Sequence, residues 1–280
     1  MGKKALEHVL RDKLTPQELM MLSRSFDIVG DIAIIKIPSA LGLRKKLIAE
    51  AVMTMNNNIK TVLNQISPVE GSLRLRRLEW VAGEDRTMTV YREYGCVFKV
   101  DLSKVYFSPR LSFERIRVAR LVRDGEAVIN MFAGVGCFSI VIAKNSGVGK
   151  VYSIDINPEA VKLMEENIAI NRVHGRVEAI IGDAKKVLRT RFIETSDRVL
   201  MPLPEKAYDY LKAACQALKP EGGFVHYYDF IHSTKGEDAK EKVISKVKKR
   251  LLERDFLICS SRIIRTVGPR WSQVVLDIKT

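Results

Sequence analysis

The chain has 280 residues, enough for one large domain or two modest ones. Hydrophobic residues make up 46% of it, enough for a sizeable core, yet it has no run of about 18 apolar residues of the kind that crosses a membrane as a helix. The formal net charge of +14 suits a polyanionic partner, because phosphate contacts dominate nucleic-acid affinity. General solubility charge is the alternative, but the cations cluster, in LRKK at 43–46, RLRR at 74–77 and RIRVARLVR at 115–123. The opening residues MGKKALEHVLRDK interleave charges through a short apolar pattern and lack the unbroken apolar core of a signal peptide, so a cytoplasmic protein is expected. The four cysteines, Cys96, Cys137, Cys215 and Cys259, show no CxxC spacing, and the four histidines show no metal-ligand spacing. They read as reduced, mostly buried thiols, with no metal expected.

Residues 1–25 read as an amphipathic helix and a second short helix, with Thr15 as cap and Pro16 as an early helical residue. Residues 26–37 are β-rich around a Gly-Asp turn, and 39–56 are helical up to Asn56. Strand-like stretches follow at 59–66, 73–81, 86–91 and 94–101. The part up to residue 104 is thus a small α+β module, and 105–280 forms a second domain, with no internal repeat in either.

After Asp124-Gly125 strands and helices alternate strictly. Strands at 127–132, 151–156, 177–181, 197–203 and 223–229 are followed by helices at 138–144, 158–171, 184–190, 205–218 and 237–254. Two last strands, 256–265 and 271–279, are joined by a Gly268-Pro269 turn. This alternation implies a parallel sheet covered by helices on both faces, closed by an antiparallel pair. It is the strand order of a class I Rossmann-like methyltransferase, an α/β fold with a mostly parallel seven-stranded sheet.

Residues 128–138, VINMFAGVGCF, run from a hydrophobic strand through Gly134 and Gly136 into a helix. Glycines there allow a tight turn and a close backbone approach to a ligand. A lone GxG is weak, and the third glycine of the dinucleotide fingerprint is missing. The second strand, however, ends in Asp155, 21 residues after Gly134, where a carboxylate accepts the ribose hydroxyls of a nucleoside. S-adenosyl-L-methionine is the cofactor this pairing favours. The bland alternative is an ordinary α/β turn with an aspartate capping the helix that begins at Pro158. Asp183, in IIGDA, is placed either for the adenine amino group or as a helix cap. In DRVLMPLP (197–204) neither Pro202 nor Pro204 donates a hydrogen bond, so the chain leaves the sheet there and exposes carbonyls beside the transferred methyl.

MFAGVGCFSI, YSIDINPEAVKLMEENIAIN, GDA, DRVLMPLPEKA and the upstream VYFSPRLSFERIRVA (105–119) together resemble the archaeal and eukaryotic tRNA guanine-37 N1-methyltransferases. RLRRLEWVAGE (74–84) resembles that family's RNA-facing module, and the resemblance spans roughly residues 25–280. It implies an α+β RNA-binding domain ahead of the methyltransferase domain, with the tRNA anticodon loop as partner; a monomer is expected. Glu114 matches the family's general base and Arg74 an arginine that holds guanine O6, while Tyr106 and Arg110 fall among the residues that meet the target base. Arg115, Phe132, Gly134, Asp155 with Ile156, and Asp183 with Ala184 match cofactor contacts, and Pro202, Leu203 and Pro204 match the NPPY-like loop beside the methyl. The chemistry fits: N1 of guanine is a poor nucleophile until a carboxylate removes its proton, and a guanidinium stabilises charge on O6. A single-stranded loop lets the base leave its stack. Without the resemblance, Glu114 and Arg115 read as a charged helix start and RLRR as an exposed strand with alternating cations.

Three departures stand out. The chain begins close to the family's second domain, so the module that grips the outer corner of tRNA is expected to be missing. Asn130 stands where an aspartate is usual at the end of the first strand. Pro202 stands where the N1-methylating branch commonly has asparagine, and proline offers the target base no side-chain hydrogen bond. The MPLP form resembles the archaeal wyosine branch, which methylates C7 of 4-demethylwyosine, sometimes in addition to guanine N1. The competing expectations are an aminocarboxypropyltransferase using the same cofactor and a non-catalytic RNA-binding protein with a degenerate Rossmann domain.

Overall fold

A threonine hydroxyl and a glutamate carboxylate set the second helix of the chain. Thr15 accepts the Glu18 N–H and Glu18 accepts the Thr15 N–H, a reciprocal capping box. The computed structural model in which this is seen describes residues 3–23, 26–252 and 254–280; the remaining positions of the two expected N-terminal helices and of the expected helix at 237–254 lie outside the described residues. The chain divides into two compact units, Met1–Ser112 and Phe113–Thr280.

In the first unit, α1 (Lys3–Leu10) and α2 (Pro16–Met21) precede β1 (Asp27–Val29) and β2 (Ile32–Ile35). Gly30 makes the turn between these strands at φ +58°, and a Cβ there would lie 2.4 Å from the Val90 carbonyl oxygen, so only glycine fits. The expected helix at 39–56 is a 3-10 turn, Ser39–Arg44, followed by α3 (Lys45–Met55). This helix carries the chain from β2 to the parallel strand β3 (Thr61–Gln65), and β4 (Leu78–Gly83) completes a sheet of order β1-β2-β3-β4. Ile48, Ala49 and Val52 of α3 pack on Ile35 and Val62 of the sheet and on Leu6 and Leu10 of α1. β5 (Met88–Glu93) and β6 (Cys96–Asp101) form a hairpin whose two turn residues, Tyr94 and Gly95, both have positive φ, the geometry that matches strand twist.

One expectation is corrected here. Residues 73–77 are not strand. Glu70 and Leu75 exchange both backbone hydrogen bonds, at 2.8 and 3.1 Å, and the chain turns back on itself between them, with Gly71 and Arg74 at positive φ. Ser67 Oγ accepts the Arg77 N–H at 2.9 Å and holds the loop base. The strand starts only at Leu78.

The second unit starts with α4 (Ser112–Leu121) and then alternates: β7 (Ala127–Asn130), α5 (Cys137–Asn145), β8 (Lys150–Asp155), α6 (Pro158–Ile170), β9 (Val177–Ile181), α7 (Ala184–Arg191), β10 (Arg198–Met201), α8 (Pro204–Gln216), β11 (Phe224–His232), α9 (Ala239–Arg250), β12 (Leu257–Gly268) and β13 (Trp271–Lys279). The seven strands lie in the order β12-β13-β11-β10-β7-β8-β9. β11, β10, β7, β8 and β9 are parallel, and β13 and β12 are antiparallel additions at one edge. Helices α7, α8 and α9 cover one face through Leu188, Leu211, Val243 and Val247. The other face takes α4 and α5, as the Arg117–Asp277, Asn130–Ser139 and Phe138–Tyr228 contacts show. The reversal of strand order beside β7 opens a crevice at the carboxyl ends of the parallel strands, where ligands bind in folds of this kind.

Candidate active site

The loop after β7 is shaped by hydrogen bonds that leave its edge open. Ala133 N–H donates to the Ile154 carbonyl and Gly136 N–H to the Ala133 carbonyl, both at 2.9 Å. Gly134 and Gly136 have φ of +56° and +88°, and a Cβ on Gly136 would come within 2.9 Å of Met164 Cγ. The loop therefore lies tight against α6, and the first turn of α5, with no side-chain cap, starts there. Buried Asn167 fastens the arrangement by donating to the Val135 carbonyl at 3.1 Å.

Asp155 closes this loop from the end of β8. Its Oδ2 accepts the Gly134 N–H at 2.6 Å and its Oδ1 the Asn157 N–H at 2.9 Å. Burial pushes the carboxyl above its usual range, against the backbone N–H groups of Asn157, Gly134 and Ile156. The bland reading assigned Asp155 to capping the helix that starts at Pro158. Asn157 does that work instead, accepting the Glu159 N–H at 3.0 Å. A carboxylate has about four acceptor sites, so beyond the Gly134, Asn157 and Ile156 N–H groups Asp155 keeps capacity for a ribose hydroxyl. Ile156, 51% exposed, adjoins it as an open apolar surface.

Asp183 is the N-cap of α7, so the capping reading of this residue is realised, with Oδ1 accepting the Lys186 N–H at 3.0 Å. Its Oδ2 accepts a short hydrogen bond from the Tyr210 hydroxyl. Partial burial works to raise this carboxyl, but the Tyr210 hydroxyl, the Lys186 and Lys185 N–H groups and the Lys186 charge outweigh it and hold it below its usual range. Burial, with the same contact adding to it, pushes the Tyr210 hydroxyl up to about 12. Tyr210 also meets Phe132 edge to face at 5.4 Å. The structure thus brings Phe132, Asp183 and Ala184 together through a tyrosine that sequence reasoning missed. Its signal was faint: a tyrosine six residues into the helix after the MPLP loop.

Met131 N–H donates to the Leu200 carbonyl at 3.0 Å, and just beyond that bond the chain leaves β10 through Pro202, Leu203 and Pro204. Leu203 caps α8 with its carbonyl and Pro204 is the buried first helical residue. Among the described residues the Pro202 carbonyl accepts no hydrogen bond. Asn130, at the end of β7, is fully buried and satisfied on both sides of its amide, donating to Ser139 Oγ at 3.1 Å and accepting the Phe132 N–H at 3.4 Å. An asparagine at this position thus does structural work that a carboxylate, with no donor, would do differently.

Glu114 and Arg115 lie in the first turn of α4 and are 1% and 3% exposed, so the solvated helix start expected without the resemblance is not what forms. Arg117 Nε donates to both Glu114 oxygens, at 3.2 and 3.0 Å, Arg262 of β12 to Oε1 at 2.6 Å, and the Tyr228 hydroxyl to Oε2 at 3.2 Å. The network continues inward. The Arg117 guanidinium grips Asp277 at 2.7 and 3.2 Å, Asp277 meets His226 Nδ1, and His226 Nε2 meets Arg198, whose guanidinium forks onto Glu126 at 2.7 and 2.9 Å. Arg198 has only donors, so His226 Nε2 must be bare and its proton sits on Nδ1, facing Asp277. Burial accordingly keeps the imidazole below its usual range in spite of Asp277. For Asp277, burial acts upwards, but the His226 hydrogen bond and Arg117 carry the carboxyl well below the carboxylate range. None of Arg117, Arg262, Tyr228, His226 or Asp277 was legible as a site residue, because they meet only through strand register.

Within the first unit, the Arg74 guanidinium lies 4.3 Å over the Tyr106 ring, so two of the expected substrate residues share one place. Arg110 instead pairs with Asp27 at 2.8 Å, and Arg76 between them is lowered by its burial, with Asp27 and Tyr106 acting upwards and Arg110 adding to the lowering. Three of the four cysteines, Cys96, Cys137 and Cys215, are buried free thiols, and Cys259 is exposed.

A glycine loop after the first parallel strand, a spare carboxylate ending the second, and a reversed strand at the sheet edge define a class I Rossmann-like methyltransferase that uses S-adenosyl-L-methionine. The chain belongs to the TRM5/TYW2 methyltransferase family: residues 89–258 match the TRM5/TYW2 methyltransferase domain and residues 6–87 the TYW2 N-terminal domain. The match therefore starts well before residue 25, where the sequence resemblance was expected to begin. The tRNA (guanine(37)-N(1))-methyltransferase Trm5b of Pyrococcus abyssi is 39% identical over 94% of this chain and 77% of its own length. The tRNA 4-demethylwyosine(37)-methyltransferase Taw21 of Saccharolobus solfataricus is 37% identical over 94% of this chain and 96% of its own. Among solved structures, the complex of aTrm5 with tRNALeu superposes with a TM-score of 0.84 at 33% identity, covering 100% of this chain and 79% of that one. Methanocaldococcus jannaschii TYW2 in complex with AdoMet gives 0.68 at 26% identity, covering 91% and 98%.

Proposed function

We propose that this protein is an S-adenosyl-L-methionine-dependent tRNA methyltransferase acting on the purine at position 37, and that C7 of 4-demethylwyosine is the acceptor its geometry suits best, with N1 of guanosine the second. The cofactor supplies an electrophilic methyl group on sulfonium. Asp155 would hold the ribose, Ile156 and the Asp183–Tyr210 pair the adenine, and the Pro202 carbonyl, which accepts no hydrogen bond among the described residues, would face the methyl group. Relatives named for both acceptors support the position on the tRNA, and the basic first unit, with Arg74 stacked on Tyr106, supports an RNA base as substrate.

The observation that carries the choice of atom is the enclosure of Glu114. Methylation at N1 requires the N1 proton to be removed as the new bond forms, so a base must be ready beforehand. Both Glu114 oxygens are instead engaged by Arg117, Arg262 and Tyr228, and proton uptake there requires one of these donors to be exchanged. At C7 the bond forms from the ring's π electrons and the proton leaves that carbon afterwards, so the exchange has time to occur. Pro202 agrees, since it gives an N1 acceptor no side-chain hydrogen bond. In this reading Glu114 is the proton acceptor, Arg74 and Tyr106 hold the base, and Arg115 contacts the cofactor. We further propose a cytoplasmic monomer. No helix among the described residues is long and apolar enough to cross a membrane.

Nucleoside mass spectrometry after reaction with tRNA bearing guanosine or 4-demethylwyosine at position 37 tests the reading. A methyl on C7 is expected to form faster than one on N1, with S-adenosylhomocysteine as co-product. Methylthioadenosine as co-product would mean aminocarboxypropyl transfer, and no product from either tRNA would end the proposal.

A further inference from the structure

The outer edge of the large sheet carries a second set of residues suited to RNA, in line with Glu114. On β11, β13 and β12 the register places Tyr228, Val275 and Arg262 side by side, then Phe230, Gln273 and Arg265, then His232, Trp271 and Gly268. Alternate residues of a strand face the same way, so these three rows lie on one face. Glu114 sits over the first row, held by Tyr228 and Arg262. In the second row Arg265 Nε donates to Gln273 at 2.8 Å, which fixes the guanidinium along the surface. In the third, the His232 and Trp271 rings meet at 5.4 Å and 59°. His232 lies four residue steps along β11 from Tyr228, about 13 Å along the strand.

Three features set this row apart from ordinary surface. Trp271 is 45% exposed although its strand is paired on both sides, so a large aromatic face is left open. Arg270 beside it is exposed, and among the described residues neither Arg265 nor Arg270 is paired with a carboxylate. Finally, the row lies at the carboxyl end of β11, which runs parallel to β10, β7 and β8, so it shares a sheet edge with Pro202, Gly134 and Asp155.

We propose that Trp271 and His232 form a stacking platform for an unpaired nucleobase of the RNA loop, with Arg265 and Arg270 taking the adjoining phosphates. This rests on the reading of the chain as a tRNA methyltransferase and adds a second nucleotide-binding position on the second unit. Open aromatic rings interleaved with guanidiniums are the surface that single-stranded RNA requires, since every base has a π face and every linkage a negative charge.

Trp271→Ala, Trp271→Phe and Arg270→Glu are compared with the parent in methyl transfer to an anticodon stem–loop RNA and in cofactor binding by calorimetry. Trp271→Ala is expected to raise KM for the RNA about 10-fold or more, the scale of one lost base stack, with kcat and cofactor affinity unchanged. Trp271→Phe should restore most of the loss. Arg270→Glu should raise KM and reduce the salt dependence of binding. In a Trp80→Phe background, Trp271 fluorescence should be quenched by the RNA, and an abasic substitution at one loop nucleotide next to the target should abolish the quenching. An unchanged KM in Trp271→Ala, or quenching indifferent to every abasic site, would overturn the platform and leave the methyltransferase reading standing. A parent protein that neither binds nor methylates the RNA would overturn both.

Discussion

The neutral imidazole at the centre of the second unit makes a measurable demand on stability. His226 is fully buried, gives its one proton to Asp277 and accepts from Arg198, and has no room for a second proton without turning Arg198 away. An imidazole whose folded value lies below its unfolded value of about 6.5 stabilises the fold above that pH and withdraws the stability as pH falls. Between pH 7.5 and 5.5 the unfolded chain takes up most of one proton at this position and the folded chain none. The resulting loss is about 1.4 kcal/mol, from the unfolded titration alone. With a urea slope of about 2 kcal/mol per molar for a unit of this size, the midpoint should drop by roughly 0.7 M over that range. Asp277 does not contribute in this window. Its carboxyl is depressed, so its stabilisation persists above the unfolded carboxylate value near 4 and is lost only below it.

The assay is urea unfolding, followed by circular dichroism, of the parent and of His226→Gln at both pH values. Glutamine offers a donor to Asp277 and an acceptor to Arg198 but does not titrate. Other groups titrate equally in both proteins, so the difference between their midpoint shifts isolates His226. The variant is expected to lose about 0.7 M less than the parent. Equal shifts would show that the imidazole takes up its proton alike in the folded and unfolded states, and the proton placement deduced from Arg198 would be wrong.

Asp155→Ala should weaken S-adenosyl-L-methionine binding about 10- to 100-fold, the cost of losing charge-assisted hydrogen bonds, and calorimetry showing parental affinity would remove Asp155 from the site. Tyr210→Phe keeps the ring against Phe132 and removes only the donor to Asp183; a loss of cofactor affinity of less than about 10-fold is expected, with the melting temperature little changed. Glu114→Gln should lower N1 methylation about 100-fold and C7 methylation less, read as separate initial rates on the two tRNAs. Equal effects on the two would contradict the argument from proton timing. Pro202→Asn should raise the ratio of N1 to C7 product in nucleoside mass spectrometry, and a fixed ratio would show that this loop does not choose the atom.

How much of this was legible in the sequence follows the range of the interactions. β9 was expected at 177–181 and spans Val177–Ile181, because a short apolar run between turns needs only local information. β7 was expected to reach 132 but ends at Asn130, since Ala133 turns its N–H to Ile154, a partner 21 residues away. β11 was expected to stop at 229 and runs to His232, because its last three residues are held by Trp271, Ser272 and Gln273 of a strand far along the chain. RLRR read as strand from its alternation, but Gly71 and the Glu70–Leu75 pair fold it into a turn, which puts Arg74 against Tyr106. The residues proposed for the cofactor could be picked out because Gly134 and Asp155 lie at the ends of consecutive strands, at a fixed spacing. Tyr210, Arg262 and Asp277 were not, because nothing in their local sequence separates them from ordinary helix and strand residues.

The two halves of the large sheet divide the chemistry between them. The parallel half ends in loops, and loops of few residues with positive φ are what a nucleoside cofactor needs. The antiparallel half contributes a register: Arg262 and Asp277, 15 residues apart in sequence, bear on α4 from neighbouring strands and hold Glu114 and Arg117 from two directions. A buried carboxylate with two guanidiniums is stable only while all its partners stay. That makes Glu114 a poor candidate for a base that must be open before each turnover, and a reasonable one for a group that is released when an RNA phosphate or base draws Arg262 away. Arg262 is the partner for that exchange, being one-third exposed and stacked over the open ring of Phe113, whereas Arg117 is only 12% exposed and forked onto Asp277. Coupling proton acceptance to the arrival of RNA on the same sheet face would keep the carboxylate closed until the substrate is in place, which is the order that a late proton loss from carbon permits and an early one from nitrogen does not.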